Sequence, residues 1–134
     1  MKKIMGIITI GAVIVGIMIL KNKTKSEWKN YQKIKYAIEG KEYNLLIADT
    51  QEKQKKGLMY VTSLENYDGM IFTYSQPQSL SFWNKNTLVD LDLYWIVNDK
   101  VVGKAELPSI QKSKDTVTVT SPKEVDKVVE IFGK

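Results

Sequence analysis

Four polar side chains in a row, Asn84, Lys85, Asn86 and Thr87, follow Phe82 and Trp83 in the stretch FWNKNT. An indole beside two amides and an ammonium can hold a sugar, a peptide or a carboxylate. The ring covers an apolar face of the ligand while the amides and the cation take its hydrogen bonds. Side chains alternate along an extended segment, so Phe82 and Asn84 share one face and Trp83 and Lys85 the other. A plainer use of the same residues is a turn at Asn86 and Thr87 with Lys85 in solvent. Asp90 and Asp92 come next, two apart on a strand, with side chains about 7 Å apart on one face. A carboxylate pair can serve acid–base chemistry or bind calcium. A hydrolase, though, sets its carboxylates across a cleft, and calcium asks for several more oxygens, so no metal or catalytic residue is assigned. Asp92 is expected as a buried acceptor tying loops together, with a Lys85–Asp92 ion pair as a further structural role. Asp90 is given no catalytic part.

Upstream, Asp68, Gly69 and Met70 suggest a glycine at positive φ leading into a strand, with Asp68 bonding turn amides. Gly57, Leu58, Met59 and Tyr60 close a helix, and Leu58 and Met59 are expected to pack beneath it.

Composition removes most other chemistry. All 20 basic residues are lysine, and arginine, histidine and cysteine are absent from the 134-residue chain. No thiol nucleophile, disulfide, thiolate zinc site, haem histidine or Ser-His-Asp device can be built, and no cofactor is expected. The net charge of +5 divides unevenly: residues 1–34 carry +6 and residues 35–134 carry −1. A nucleic-acid binder needs a clustered basic face, and the C-terminal hundred residues have none, so nucleic acid is not an expected partner.

The elements that position these residues can be read in turn. Segments 35–39 and 42–48 read as strands around a turn at Gly40-Lys41. Asp49 with Glu52 suggests a capping box opening a helix within TQEKQKKGLMY, with Gly57 as its C-cap. MIFTY after Gly69, SFW after Leu80 and the run 89–97 read as strands. Asn98-Asp99 is a turn, 101–107 its partner strand, 116–120 an alternating strand, and 128–132 a last apolar run. The expected class is mainly β or α+β, a curled, barrel-like antiparallel sheet with one or two short helices.

Before this domain, residues 4–20 carry no charge and sit between Lys2-Lys3 and Lys21, Lys23 and Lys25. Seventeen residues of helix span about 25 Å, the lower limit for a bilayer core of about 30 Å, and flanking lysines can snorkel. No A-x-A-like cleavage site follows, so residues 1–20 are expected as an uncleaved transmembrane anchor, 21–34 as a lysine-rich tether, and 35–134 as the β-rich domain. The lysine count on the two sides does not favour an outside C-terminus, whereas a hydrophobic segment after a basic pair acts as a start-transfer sequence. The expectation is a single-pass protein of the cell membrane with an extracytoplasmic domain.

The succession ADTQEKQKKGLMY, DGMIF, FWNKNT and LDLYWIV resembles the family called domain of unknown function 192. Its members show a GLM-aromatic motif, an acidic-Gly-Met-hydrophobic-Phe motif, an FWMKNT-like motif and an LD pair in that order. VVGKAEL and VVEIFG extend the resemblance over most of residues 35–134. Asn84 stands where the family usually has methionine, and Asp90 where a proline usually precedes the LD pair. The resemblance implies a small β-rich domain, often exported or membrane-tethered, with no established activity. Together these readings favour a membrane-tethered binding or accessory module. Its aromatic-polar pocket of Trp83, Asn84, Lys85, Asn86 and Asp92 would take a small polar or glycan-like ligand or an envelope protein. A carboxylate-dependent hydrolase acting through Asp68 or Asp92 is the alternative. Gly57, Met59, Asp68, Gly69 and Met70 form the structural frame.

Overall fold

A computed structural model describes residues 27–133. The anchor expected over residues 1–20, and residues 21–26 of the tether, lie outside that range. Among the described residues no helix is long and apolar enough to cross a membrane. The chain divides between Tyr31 and Gln32 into two compact units. In the first, residues 27–30 form a turn in which the Tyr31 amide donates to the Trp28 carbonyl, and the two rings meet edge to face at 5.2 Å.

The second unit is built on strands β1 (Lys33–Ile38), β2 (Lys41–Ala48), β3 (Gly69–Gln78), β4 (Ser81–Trp83), β5 (Leu91–Val97), β6 (Lys100–Leu107), β7 (Thr118–Thr120) and β8 (Val125–Phe132). Two short helices, α1 (Gln51–Lys56) and α2 (Ile110–Ser113), join them. Six strands form one sheet in the order β1-β2-β3-β8-β5-β6, and β4 pairs with β7 in a separate ribbon. The sheet is mixed: β2 and β3 run parallel, and every other neighbouring pair is antiparallel. This corrects the all-antiparallel expectation. Parallel neighbours require a crossover, and α1 with the loop after it supplies one between Ala48 and Gly69.

Burial on both faces of β2, β3, β5 and β8 gives the unit two apolar layers. On one face Ile38, Leu45, Ile71, Ile96 and Val129 cluster beneath Tyr36, Tyr43 and Tyr94. The sheet curls around this cluster until its two edges meet through side chains. The Tyr36 hydroxyl donates to Asp99 Oδ1 at 2.8 Å, and Lys104 pairs with Glu39 at 2.7 Å. No backbone ladder joins β1 to β6, so the sheet stays open and the expected barrel is not completed.

The other face carries Leu46, Met70, Phe72, Leu93, Trp95 and Val128, in register across four strands. The β4–β7 ribbon covers it: Phe82 sets its ring edge to face against Phe72 at 4.9 Å and Trp95 at 5.8 Å. From α1, Gln54 Nε2 donates to the carbonyls of Ala48 and Thr73, fixing the helix on β2 and β3. That helix is capped by Thr50, one residue later than the capping box suggested. The Thr50 hydroxyl accepts from the Lys53 amide, and Asp49 turns to an ion pair with Lys53 Nζ at 3.7 Å. Gly57 ends it as expected, at φ 49°, its amide donating to the Lys53 carbonyl.

Strand starts differ from expectation by up to three residues, and β3 runs on past the expected MIFTY to Gln78. β1 starts at Lys33 and β8 at Val125, and α2, the second of the one or two short helices expected, falls where no segment reads as helix. Four residues are too few for a readable helical period.

Candidate functional site

The FWNKNT segment leaves β4 and splits its side chains as alternation requires. Phe82 points down into the aromatic cluster, while Trp83 is 53% exposed with Lys85 Nζ 5.2 Å from its ring centre. A cation over an indole face holds both side chains at the rim of a cavity of about 340 Å³. Asn86 follows in the left-handed region at φ 54°, and its carbonyl accepts from the Tyr60 amide at 2.8 Å. That bond ties the FWNKNT loop to the GLMY loop. Leu58 is buried beneath it, as expected, but Met59 is only half-buried and lines the cavity with Trp83, Lys85 and Asn86.

Asn84 belongs to the scaffold and not to the cavity. It is fully buried, and its side chain is spent on three bonds at 2.8 Å. Nδ2 donates to the Pro108 carbonyl and to Ser113 Oγ, and Oδ1 accepts from the Val117 amide. One amide thereby fixes both ends of the 108–117 connection, α2 included.

Asp92 is also elsewhere. It is half-buried and accepts no side-chain hydrogen bond among the described residues, so it is not the loop-tying acceptor expected. It lies on the far face of the sheet, opposite Glu106 and Ile131, in a separate cavity of about 640 Å³ that also holds Asp90 and Lys112. Lys85 and Asp92 therefore line different cavities, and the expected ion pair is not formed. The tying role falls to its neighbour: Asp90 Oδ1 accepts from the Ser109 amide at 2.8 Å, and Lys112 stands 3.5 Å from Oδ2. The Ser109 amide first, and Lys112 after it, hold the Asp90 carboxyl below the usual carboxylate range.

Asp68 and Gly69 frame the central strands. Asp68 Oδ2 accepts from the Asn44 amide at 2.8 Å, a strand amide and not the turn amide expected. Gly69 is not at positive φ. A Cβ there would stand 1.9 Å from the Glu130 carbonyl oxygen, so the glycine is needed for the close approach of β3 to β8. Met70, next along the strand, is wholly buried on the opposite face, in the layer of Leu46 and Leu93.

The residue that sequence reading passed over is Glu130. It is 4% exposed, sits between Met70 of β3 and Leu93 of β5, and lines the same cavity as Trp83 and Lys85. Its carboxyl accepts no hydrogen bond among the described residues, and burial alone pushes it up to about 8. Tyr74, also lining the cavity, is pushed up to about 12, by burial first and then by the nearby Glu130 carboxyl. The signal was present: in VVEIF, alternation sends Glu130 to the same face as Val128, a lone acid on an inward register.

The cavity thus combines aromatic walls (Phe72, Phe82), a rim of Trp83 and Lys85, and one buried carboxyl. Asp68 and Asp92 do not line it, so the two-carboxylate arrangement of a hydrolase is not assembled there. A comparison of variants checks these placements. Asn84→Ala should cost about 1–3 kcal/mol, because it leaves the Val117 amide and Pro108 carbonyl unpaired. Asp92→Ala should stay within about 0.5 kcal/mol. Chemical denaturation of both reads the difference, and equal costs would contradict the assignment.

The family model named DUF192, described as "Uncharacterized ACR", matches residues 32–133. Among solved structures, the chain is similar to a protein of unknown function from Novosphingobium aromaticivorans. The two are 27% identical with a TM-score of 0.62, over 77% of this chain and 74% of that one. It is also similar to a candidate transcription regulator from Sinorhizobium meliloti, at 22% identity and a TM-score of 0.61, over 77% and 82% of the two chains. That second likeness shows the fold alone. No curated protein matches the chain.

Proposed function

The chain belongs to the DUF192 family, and on that footing we propose that it is a membrane-tethered module that binds a small polar ligand. Residues 4–20 are the anchor in this reading, a single uncharged span between lysines that holds the domain on the extracytoplasmic side. The observation that carries the binding role is the cavity beneath Trp83. Its volume of about 340 Å³ falls in the range of small-ligand clefts, roughly 300–1,000 Å³. Apolar walls with a few convergent polar groups, Lys85, Asn86 and Glu130, are the usual make-up of such sites. The open rim supports binding over structural duty, because neither Trp83 nor Lys85 is needed to fill the core.

The test is a thermal-shift and titration screen of the full chain against sugars, amino acids and short peptides. Lys85→Ala should leave stability within about 0.5 kcal/mol, while Trp83→Ala weakens any ligand found at least about tenfold through loss of the aromatic platform. A ligand that binds both variants as tightly as the parent would place the site elsewhere. Turnover of a screened compound, lost in Glu130→Gln with the fold intact, would favour a carboxylate-dependent hydrolase instead, acting through Glu130 and not through Asp68 or Asp92.

A further inference from the structure

Burial sorts the charges of the cavity by depth. Glu130, 4% exposed, is its one acid and lies deep, while Lys55 and Lys85 are exposed and Lys56 half-buried around it. The carboxyl of Glu130 lines the cavity with no hydrogen bond from any described residue, so its oxygens are open to a ligand. A buried carboxyl without a partner is costly and calls for a donor. We propose that the cavity takes a zwitterionic, amino-acid-type ligand, its ammonium seated against Glu130 and its carboxylate turned outward to the lysines. This rests on the binding role proposed above and names the chemistry of its ligand.

Other ligand types answer only one end. A neutral sugar donates to Glu130 but makes no use of the lysines. A simple carboxylate meets the lysines and then finds an acid below them. An amine without a carboxylate must pass the lysines uncompensated. A zwitterion matches both ends, and Phe72 and Phe82 offer ring surface for the ammonium and for an apolar side chain. The size agrees, since about 340 Å³ is at the small end of ligand clefts.

The pairing has a proton signature. Burial holds Glu130 at about 8, so at pH 6–7 the empty site carries a protonated carboxyl. The ligand's ammonium favours the ionised form, and binding should release a proton. The other titratable groups lining the cavity are Tyr74 of β3, Lys55 and Lys56 of α1, and Lys85 beyond β4, with none contributed by β5.

Isothermal titration of the full chain, in buffers of different ionisation enthalpy, tests this with the twenty free amino acids, their N-acetyl derivatives, the matching decarboxylated amines and neutral monosaccharides. At least one free amino acid should bind, and its N-acetyl and decarboxylated forms at least about tenfold more weakly. Its affinity should rise about tenfold from pH 6 to pH 7 and level off above about pH 8, with proton release. Glu130→Gln should abolish the pH dependence and weaken binding at pH 8, and Lys85→Ala should weaken the zwitterion but not the amine. Equal binding of the N-acetyl derivative, or affinity rising as pH falls, overturns the inference. Monosaccharides that bind and are lost on Trp83→Ala, with no amino acid binding, overturn it while leaving the proposed role standing. No binding by any probe overturns both.

Discussion

Stability of the domain should fall by on the order of 4 kcal/mol between pH 4.5 and pH 8, through the single side chain Glu130. In the unfolded chain this carboxyl titrates near its ordinary 4.5, whereas burial moves it to about 8 in the fold. Below 4.5 both states hold the proton and the group costs nothing. Between the two values only the folded state keeps it, so folding takes up a proton and becomes less favourable as pH rises. Above about 8 both states are ionised and the loss is complete. Urea unfolding of the full chain at pH 5, 6, 7, 8 and 9 reads this slope directly. Glu130→Gln should flatten it, and the variant should be more stable than the parent at pH 8 although less so at pH 5. The acid limb belongs to other groups. Asp90 and Asp99 are held below their ordinary 3.8, Asp90 chiefly by the Ser109 amide and Asp99 chiefly by the Tyr36 hydroxyl. Their contributions are lost only as pH falls through their lowered values. Parallel profiles for parent and variant would mean that the carboxyl is solvated and that the cavity floor has been misread.

That one acid also shows where sequence reading succeeds and where it stops. Period-two alternation put Phe82 and Trp83 on opposite faces; the structure decides which is inward, seating Phe82 against the rings of Phe72 and Trp95 and leaving Trp83 and Lys85 exposed. The same rule, applied to 128–132, would have turned Glu130 inward, but an apolar run with a single acid reads first as a strand and only second as a site. Turn chemistry was equally legible. Asn98 and Asp99 both adopt positive φ, as a two-residue hairpin requires, and Gly57 caps α1. What local pattern cannot carry is which face of which strand a residue shares across the sheet. Asp92 lies ten residues or fewer from every member of the FWNKNT loop, yet the chain crosses from the ribbon into the main sheet between them. The two therefore open on different cavities. The mixed sheet was hidden for a related reason. A crossover of some twenty residues with a helix in it is the usual mark of parallel neighbours, but hairpin signals on both sides of it suggested an antiparallel meander. Asn84 looked like ligand chemistry because an exposed amide and a buried, fully bonded amide are the same letter in sequence. The 108–117 connection decides which it is.

Gly69→Ala should be the most damaging single methyl in the domain. Its Cβ would fall 1.9 Å from the carbonyl oxygen of Glu130, 2.9 Å from the carbonyl carbon and 3.1 Å from Ile131 Cα. All three are backbone atoms of β8, so no side chain can swing aside. β3 and β8 are the two central strands of the six, and prising them apart breaks the Gly69–Ile131 register and displaces Glu130. The bonds of Asp68 go with it: its side chain accepts from the Asn44 amide and its carbonyl from the Phe132 amide. A cost above about 4 kcal/mol is exceptional for a point substitution, and against a total of about 5–15 kcal/mol it would leave a large fraction unfolded. The comparison that separates causes is Gly69→Asn. Were the glycine there for a left-handed conformation, asparagine, which tolerates that region, would restore much of the stability. Because the backbone of Gly69 is not at positive φ, asparagine carries the same offending Cβ and should fail as badly as alanine. Gly40→Asn provides the control. Gly40 has φ +82° and nothing within 4 Å of a Cβ, so there asparagine should cost under about 1 kcal/mol. Circular dichroism melts of the three variants decide it: a folded Gly69→Asn protein melting within a few degrees of the parent would show that the strands have room to spare.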